Sequence, residues 1–202
     1  FERALRCAGE VDRPVLAALH EGAAGEYSLL DRWEEAERAL RSALRIRREL
    51  GDHLNVGEDL RLLSTTLWRL CRGEESDRAA EEAVQVLEAL PPGQELAWAY
   101  ANLGARYMQM GRSGAAVGIG EKARALGEDL HQRDVISHAL NTIGCALMAT
   151  SRDGAGSDDR TFGLSPPHSR GLELPARLAT LRSEDCDGRE ISLHFADEAR
   201  SL

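Results

Sequence analysis

Aromatic residues make up only 4% of this chain, and β-branched residues are sparse along it. That shortage disfavours a large sheet, whose pleated surfaces are built mainly from those side chains. Long apolar runs are missing too. No stretch approaches the roughly 20 residues needed to cross a bilayer, and the opening residues do not read as a signal peptide. Cysteines stand far apart, at Cys7, Cys71, Cys145 and Cys186. Without a Cys-x-x-Cys pair they suit neither a secreted disulfide framework nor a zinc site, so the expectation is small buried thiols in a reducing cytoplasm. A clustered basic face is also lacking. The chain carries 25 basic against 34 acidic side chains, a net charge of −9, and its arginines are interspersed with glutamates. Direct nucleic-acid contact by this segment is therefore disfavoured, because such binding needs concentrated positive charge. The chain opens at Phe1, already in a helical pattern, and reads as a piece of something longer.

What the sequence does contain favours helix. Alanine, leucine, glutamate and arginine dominate, and these side chains lose little freedom on entering one. Residues also recur at one interval. Arg32, Arg72, Arg112 and Arg152 are 40 residues apart, as are Leu30, Leu70 and Met110, then Ala36, Ser76 and Ala116. Ala43, Ala83 and Ala123 follow, then Leu50, Leu90 and Leu130, while Tyr27, Leu67, Tyr107 and Leu147 keep the register upstream. A fixed period of this size marks a repeat architecture.

Each unit reads as two antiparallel helices. The pairs are Pro14–Leu30 with Trp33–Leu50, Asn55–Cys71 with Glu74–Leu90, and Gln94–Met110 with Ser113–Leu130, before a lone helix from Asp134 to about Ala149. Asp12 is a candidate N-cap, and Pro14 suits the first turn, where its missing N–H costs little. Pro91-Pro92-Gly93 stops the fourth helix. In the second helices, stripes such as Ala36, Leu40, Ala43 and Leu44 fall on one face and charged pairs such as Glu37/Arg41 on the other. Small residues at the contact let neighbouring backbones approach, and one pair alone cannot bury its own stripe.

Tyr100, Asn102-Leu103-Gly104, Tyr107, Gly111, Ala116 and Ala123 resemble the signature of the tetratricopeptide repeat family, and the resemblance covers about residues 14–152. It implies an all-α, right-handed superhelical stack of about three and a half helix pairs over 1–152. The period is longer than the family's usual 34 residues. Such lengthened, alanine- and arginine-rich repeats look like the repeat region of large bacterial ATP-dependent LuxR-type transcriptional regulators. A sensor or relay scaffold in such a regulator is thus the first expectation for function, a free-standing peptide-binding adaptor the second, and a small-molecule receptor the third. The resemblance further implies a groove lined by the first helix of each unit. It would place Arg61, Trp68 and Arg69 there from unit two, Trp98, Asn102 and Gln109 from unit three, and Asn141 from unit four. The implied occupant is an acidic or carboxylate-terminated peptide, or an adjoining domain of the parent chain. Trp68 and Trp98 could equally pack across the seam between units, and Asn102 could equally fasten neighbouring helices.

No catalytic, cofactor or metal site emerges. His20-Glu21 begins a zinc motif whose second histidine is replaced by Ala24. His131 and His138 share a side of a helix without a third ligand. Gly118-Ile119-Gly120-Glu121-Lys122 imitates a phosphate loop but lacks its Gly-Lys-Ser/Thr ending and a preceding strand. Gly163-Leu164-Ser165-Pro166 lacks the second glycine of a nucleophile elbow. After Arg152 the repeat fails in a run of Gly, Ser and Asp followed by Ser165-Pro166-Pro167. Residues 153–202 are expected to be an irregular tail without a core of its own, either natural linker or sequence out of frame from near residue 151.

Overall fold

The computed structural model describes residues 12–152 and the backbone of 178–184 and 190–196. The chain divides into two units, Phe1–Asp159 and Arg160–Leu202. Among the described residues the first unit is all helix. Its elements are α1 (Arg13–Leu29), α2 (Trp33–Leu50), α3 (His53–Arg69), α4 (Gly73–Glu88), α5 (Gln94–Gln109), α6 (Ser113–Asp129) and α7 (Arg133–Arg152). These bounds lie within a few residues of those read from the repeat.

The turns repeat along with the helices. Between α1 and α2, α3 and α4, and α5 and α6, one residue adopts a left-handed conformation: Asp31 at φ 55, Cys71 at φ 57 and Gly111 at φ 73. The N–H that follows reaches back to close the helix, Arg32 to the Tyr27 carbonyl, Arg72 to Leu67 and Arg112 to Tyr107, each at 2.9 Å. This is the six-residue closure that satisfies carbonyls left over at a helix end. The arginine ladder therefore marks the residue that starts each second helix. Arg32 and Arg112 also lie over the rings of Tyr27 and Tyr107, at 4.6 and 4.1 Å from the centroids. Asp12 precedes α1 as expected, but its side chain makes no capping bond. Asp52 does make one, accepting from the Asn55 N–H at 3.4 Å.

Burial follows the same 40-residue columns. Ala36, Ser76 and Ala116 have no exposed surface, nor do Ala43, Ala83 and Ala123. Ala23, Leu63, Leu103 and Ile143 are all buried. The small residues act by permitting close approach. Ser64 of α3 meets Ser76 of α4 with hydroxyl oxygens 3.2 Å apart. A methyl added at Gly104 of α5 would touch Ile119 and the backbone of Ala116 and Gly120 in α6.

The units stack unevenly. First helix packs on first helix, α3 on α5 and α5 on α7. Between second helices, long ion pairs span the gap instead: Arg41–Glu75 at 3.4 Å, Arg48–Glu82 at 2.5 Å and Lys122–Glu88 at 3.4 Å. The result is an α-solenoid whose first-helix layer is the tighter one from α3 to α7.

In the stretch expected to be an irregular tail, two segments are described as strands. Strands β1 (Leu178–Glu184) and β2 (Glu190–Ala196) pair antiparallel, with Leu181 opposite Leu193. Ile191, Leu193 and Phe195 alternate with Ser192 and His194, a period of two that suits a pleated strand. The Gly-rich run and Ser165-Pro166-Pro167 lie outside the described residues.

Candidate functional site

The side chains singled out for a groove come from α3, α5 and α7, and the structure sorts them into two groups. Asn102 belongs to the fastening of the stack. Its amide donates to the Ser64 hydroxyl at 3.2 Å and its carbonyl accepts from Thr65 at 3.4 Å. Ser76 in turn donates to the Ser64 carbonyl at 2.8 Å. One polar chain thus ties α4, α3 and α5 together, and buried hydroxyls of this kind need such partners. Trp98 is half-buried against the core and meets the His138 ring of α7 edge-on, centroids 6.0 Å apart. It packs across the seam between units three and four. The carbonyl of Gln109 accepts from the buried Arg106 at 2.5 Å, and Arg106 also donates to Asp77 at 2.9 Å.

Arg61, Arg69 and Trp68 form the second group. Arg61 donates to Glu58 through Nε at 2.9 Å. Together with desolvation, its charge lowers the pKa of His138. Arg69 is exposed and lies over two indoles, 5.5 Å from the Trp33 centroid and 5.2 Å from Trp68. Arg106 approaches the Trp68 ring as well, at 5.8 Å. Such cation–ring contacts hold a guanidinium flat while its N–H edge stays available. Among the described residues no carboxylate forms an ion pair with Arg69. Asn141 of α7 is exposed.

Other features escaped the sequence reading. A polar cluster sits where units one and two meet. Arg47, buried at the end of α2, donates to both Glu21 oxygens at 2.7 and 3.1 Å and to Asp52 at 3.0 Å. Asp59 of α3 is 2% exposed, and its Oδ2 has no hydrogen-bond partner. Burial, reinforced by the nearby Glu21 charge and opposed by Arg47, pushes its pKa up to about 7. The 40-residue column gives a signal that could have found it, because Leu19, Ala99 and Ala139 occupy the equivalent positions. A shallow cleft of about 200 Å³ also opens beside α2, α3 and α4, with a floor that includes Leu44, Leu60, Leu63 and Leu67. Its rim is the Arg41–Glu75 and Arg48–Glu82 pairs.

The expectation of four reduced, buried thiols is corrected. Cys71 is exposed in its turn and disulfide-bonded, to a partner outside the described residues, while Cys145 is free and partly buried. Gly118–Lys122 lie within α6. Among the described residues no three His, Cys, Asp or Glu side chains are placed to hold a metal, and no helix is long and apolar enough to cross a membrane.

No family model matches the sequence, and no curated protein does either. Among solved structures the fold is similar to BtubC (BKLC) from P. vanneervenii, with a TM-score of 0.59 and 19% identity, over 87% of this chain and 78% of that one. At that identity the likeness concerns the fold alone.

Proposed function

We propose that the chain is a protein-interaction scaffold of the tetratricopeptide kind, with no catalysis of its own. The face made by α3, α5 and α7 receives an acidic or carboxylate-terminated peptide, or an adjoining domain of a longer parent. The observation that carries this reading is Arg69, an exposed guanidinium steadied over Trp33 and Trp68 and without a carboxylate partner among the described residues. A carboxylate accepts from such an edge with charge-assisted hydrogen bonds, and the flanking indoles supply flat apolar contact of the sort that anchors interfaces. The tighter first-helix layer supports placing the receiving surface on this side. Arg61, paired with Glu58, lies two turns earlier on the same helix as Arg69, and Gln109 and Asn141 belong to α5 and α7. Asn102 serves to fasten the stack. The proposed setting is the relay segment of a bacterial ATP-dependent regulator of the LuxR type, cytoplasmic, without direct nucleic-acid or membrane contact by this segment.

Titrating an acidic hexapeptide with a free C-terminal carboxylate, and its amidated twin, while following tryptophan fluorescence tests the reading. Binding of the free acid is expected to exceed that of the amide and to weaken about tenfold or more in Arg69→Ala, the loss expected for a charge-assisted bond. Asn102→Ala is expected to leave affinity within about twofold while lowering stability by about 1 kcal/mol, as for a lost buried hydrogen bond. Equal binding by Arg69→Ala and the parent chain would remove the assignment.

A further inference from the structure

Among the described residues, α7 is covered on one side only. Val135, Ala139, Ile143 and Ala146 are buried, and the helix packs on α5 and α6. On another side Leu140, Gly144 and Met148 form an i, i+4, i+8 stripe. Leu140 is 52% and Met148 54% exposed, and a methyl built at Gly144 would meet nothing within 4 Å. The positions equivalent to Leu140 and Gly144 in the preceding units are interior, while those equivalent to Met148, Trp68 and Met108, are half-buried. Leu60 and Ser64 are buried in α3, with Ser64 against Ser76 of α4. Tyr100 and Gly104 are buried in α5, with Gly104 against α6. The stripe thus continues a seam that the molecule elsewhere closes with a helix.

We propose that a second copy of this chain closes it, with α7 packed antiparallel on α7 about Gly144. Three observations favour that occupant. The molecule's own hairpins put small residue on small residue at this level, and Gly144 facing Gly144 of the second copy repeats the contact and allows close approach. The stripe is self-complementary, because a two-fold axis at Gly144 sets Leu140 against Met148 of the second copy, twice over. The surface is also neutral. From Val135 to Thr150, α7 contains no Asp, Glu, Lys or Arg. A charged peptide finds no countercharge there, whereas two copies of a chain with net charge −9 can meet at this place without opposing carboxylates. Antiparallel helices also set their dipoles favourably. The contact is small, of order 1,000 Å² in total, at the lower end for specific interfaces. A micromolar dimer is therefore expected.

Sedimentation velocity on the full chain over about 1 to 200 μM decides the matter. The expected mass rises from 22.1 kDa toward twice that value. Leu140→Glu and Met148→Glu are each expected to raise the dissociation constant at least about tenfold, since each places two carboxylates in the contact. Leu54→Glu, at a leucine of α3 that is 44% exposed, is expected to leave it unchanged. Far-UV circular dichroism confirms that the variants keep their helices. A monomer at every concentration overturns the proposal. So does a dimer indifferent to both α7 variants, or one weakened equally by Leu54→Glu.

Discussion

Asp59→Asn is expected to stabilise the helical unit by about 2–4 kcal/mol near pH 8 and by almost nothing near pH 3, which is the linkage consequence of a carboxyl pKa raised about three units by folding. The Asp59 pKa rises from 3.8 to about 7. Below about pH 3 the group is largely protonated in both folded and unfolded chains and contributes no penalty. Between about pH 3 and 7 the unfolded chain ionises while the folded one resists. Stability relative to the asparagine variant therefore falls across that window and is level above it. The cause is burial, with Glu21 of α1 and Glu58 and Asp52 around α3 adding negative charge that Arg47 only partly offsets. Arg47 is already committed to Glu21 and Asp52. Urea midpoints from far-UV circular dichroism, taken for both proteins at several pH values, give the difference directly. A constant difference across the range would mean that Asp59 is ionised in the folded chain. Asp59→Ala is expected to behave similarly, because alanine already fills this column at Ala99 and Ala139, with 1% and 0% exposure.

Gly57 and Leu87 are expected to show strong coupling. A methyl at Gly57 of α3 would fall inside the Leu87 side chain, 2.6 Å from Cδ2. Leu87 is 1% exposed and cannot swing away. Gly57→Ala is therefore expected to cost about 1–2 kcal/mol, overpacking of about 1–3 kcal/mol being partly offset by the better helix propensity of alanine. Leu87→Ala alone is expected to cost about 2–5 kcal/mol, the transfer loss plus a cavity. The double variant is expected to be more stable than Leu87→Ala alone, because the new methyl fills part of that cavity. An interaction energy of about 2 kcal/mol in the double-mutant cycle is the expected readout, and additive costs would show that the two side chains are not in contact. In the next unit the columns hold Ala97 and Gly127 in place of Gly57 and Leu87, so each seam distributes its bulk differently.

These pairs explain how much of the architecture the sequence discloses. The period announces itself because alanine, serine or glycine must recur wherever two helix backbones touch, as at Ala36, Ser76 and Ala116. The turns are legible through Arg32, Arg72 and Arg112, whose N–H groups close the backbone onto Tyr27, Leu67 and Tyr107 while their guanidiniums lie over Tyr27 and Tyr107 or pair with Glu37 and Glu75. Asp59 was hidden by its type, since aspartate on a helix ordinarily reads as solvated surface. Only alignment of the column with Leu19, Ala99 and Ala139 exposes it. Asn102, expected in the groove from the tetratricopeptide resemblance, bonds Ser64 and Thr65 of the neighbouring helix. That competition depends on the depth of packing between α3 and α5, which no local pattern encodes. The Cys71 disulfide joins residues distant in sequence. In β1 and β2, Leu178 with Leu181 and Ile191 with Phe195 mimic a helical stripe, but Ile191, Leu193 and Phe195 fit a period of two.

Residue-resolved amide hydrogen exchange tests the central claim, that one helical hairpin recurs every 40 residues around a common seam. The slowest amides are expected in the same columns of successive units, at Ala23, Leu63, Leu103 and Ile143 and at Ala43, Ala83 and Ala123, with fast exchange at the turns around Asp31, Cys71 and Gly111. Protection that ignores this interval, or that is confined to a single hairpin, would contradict it.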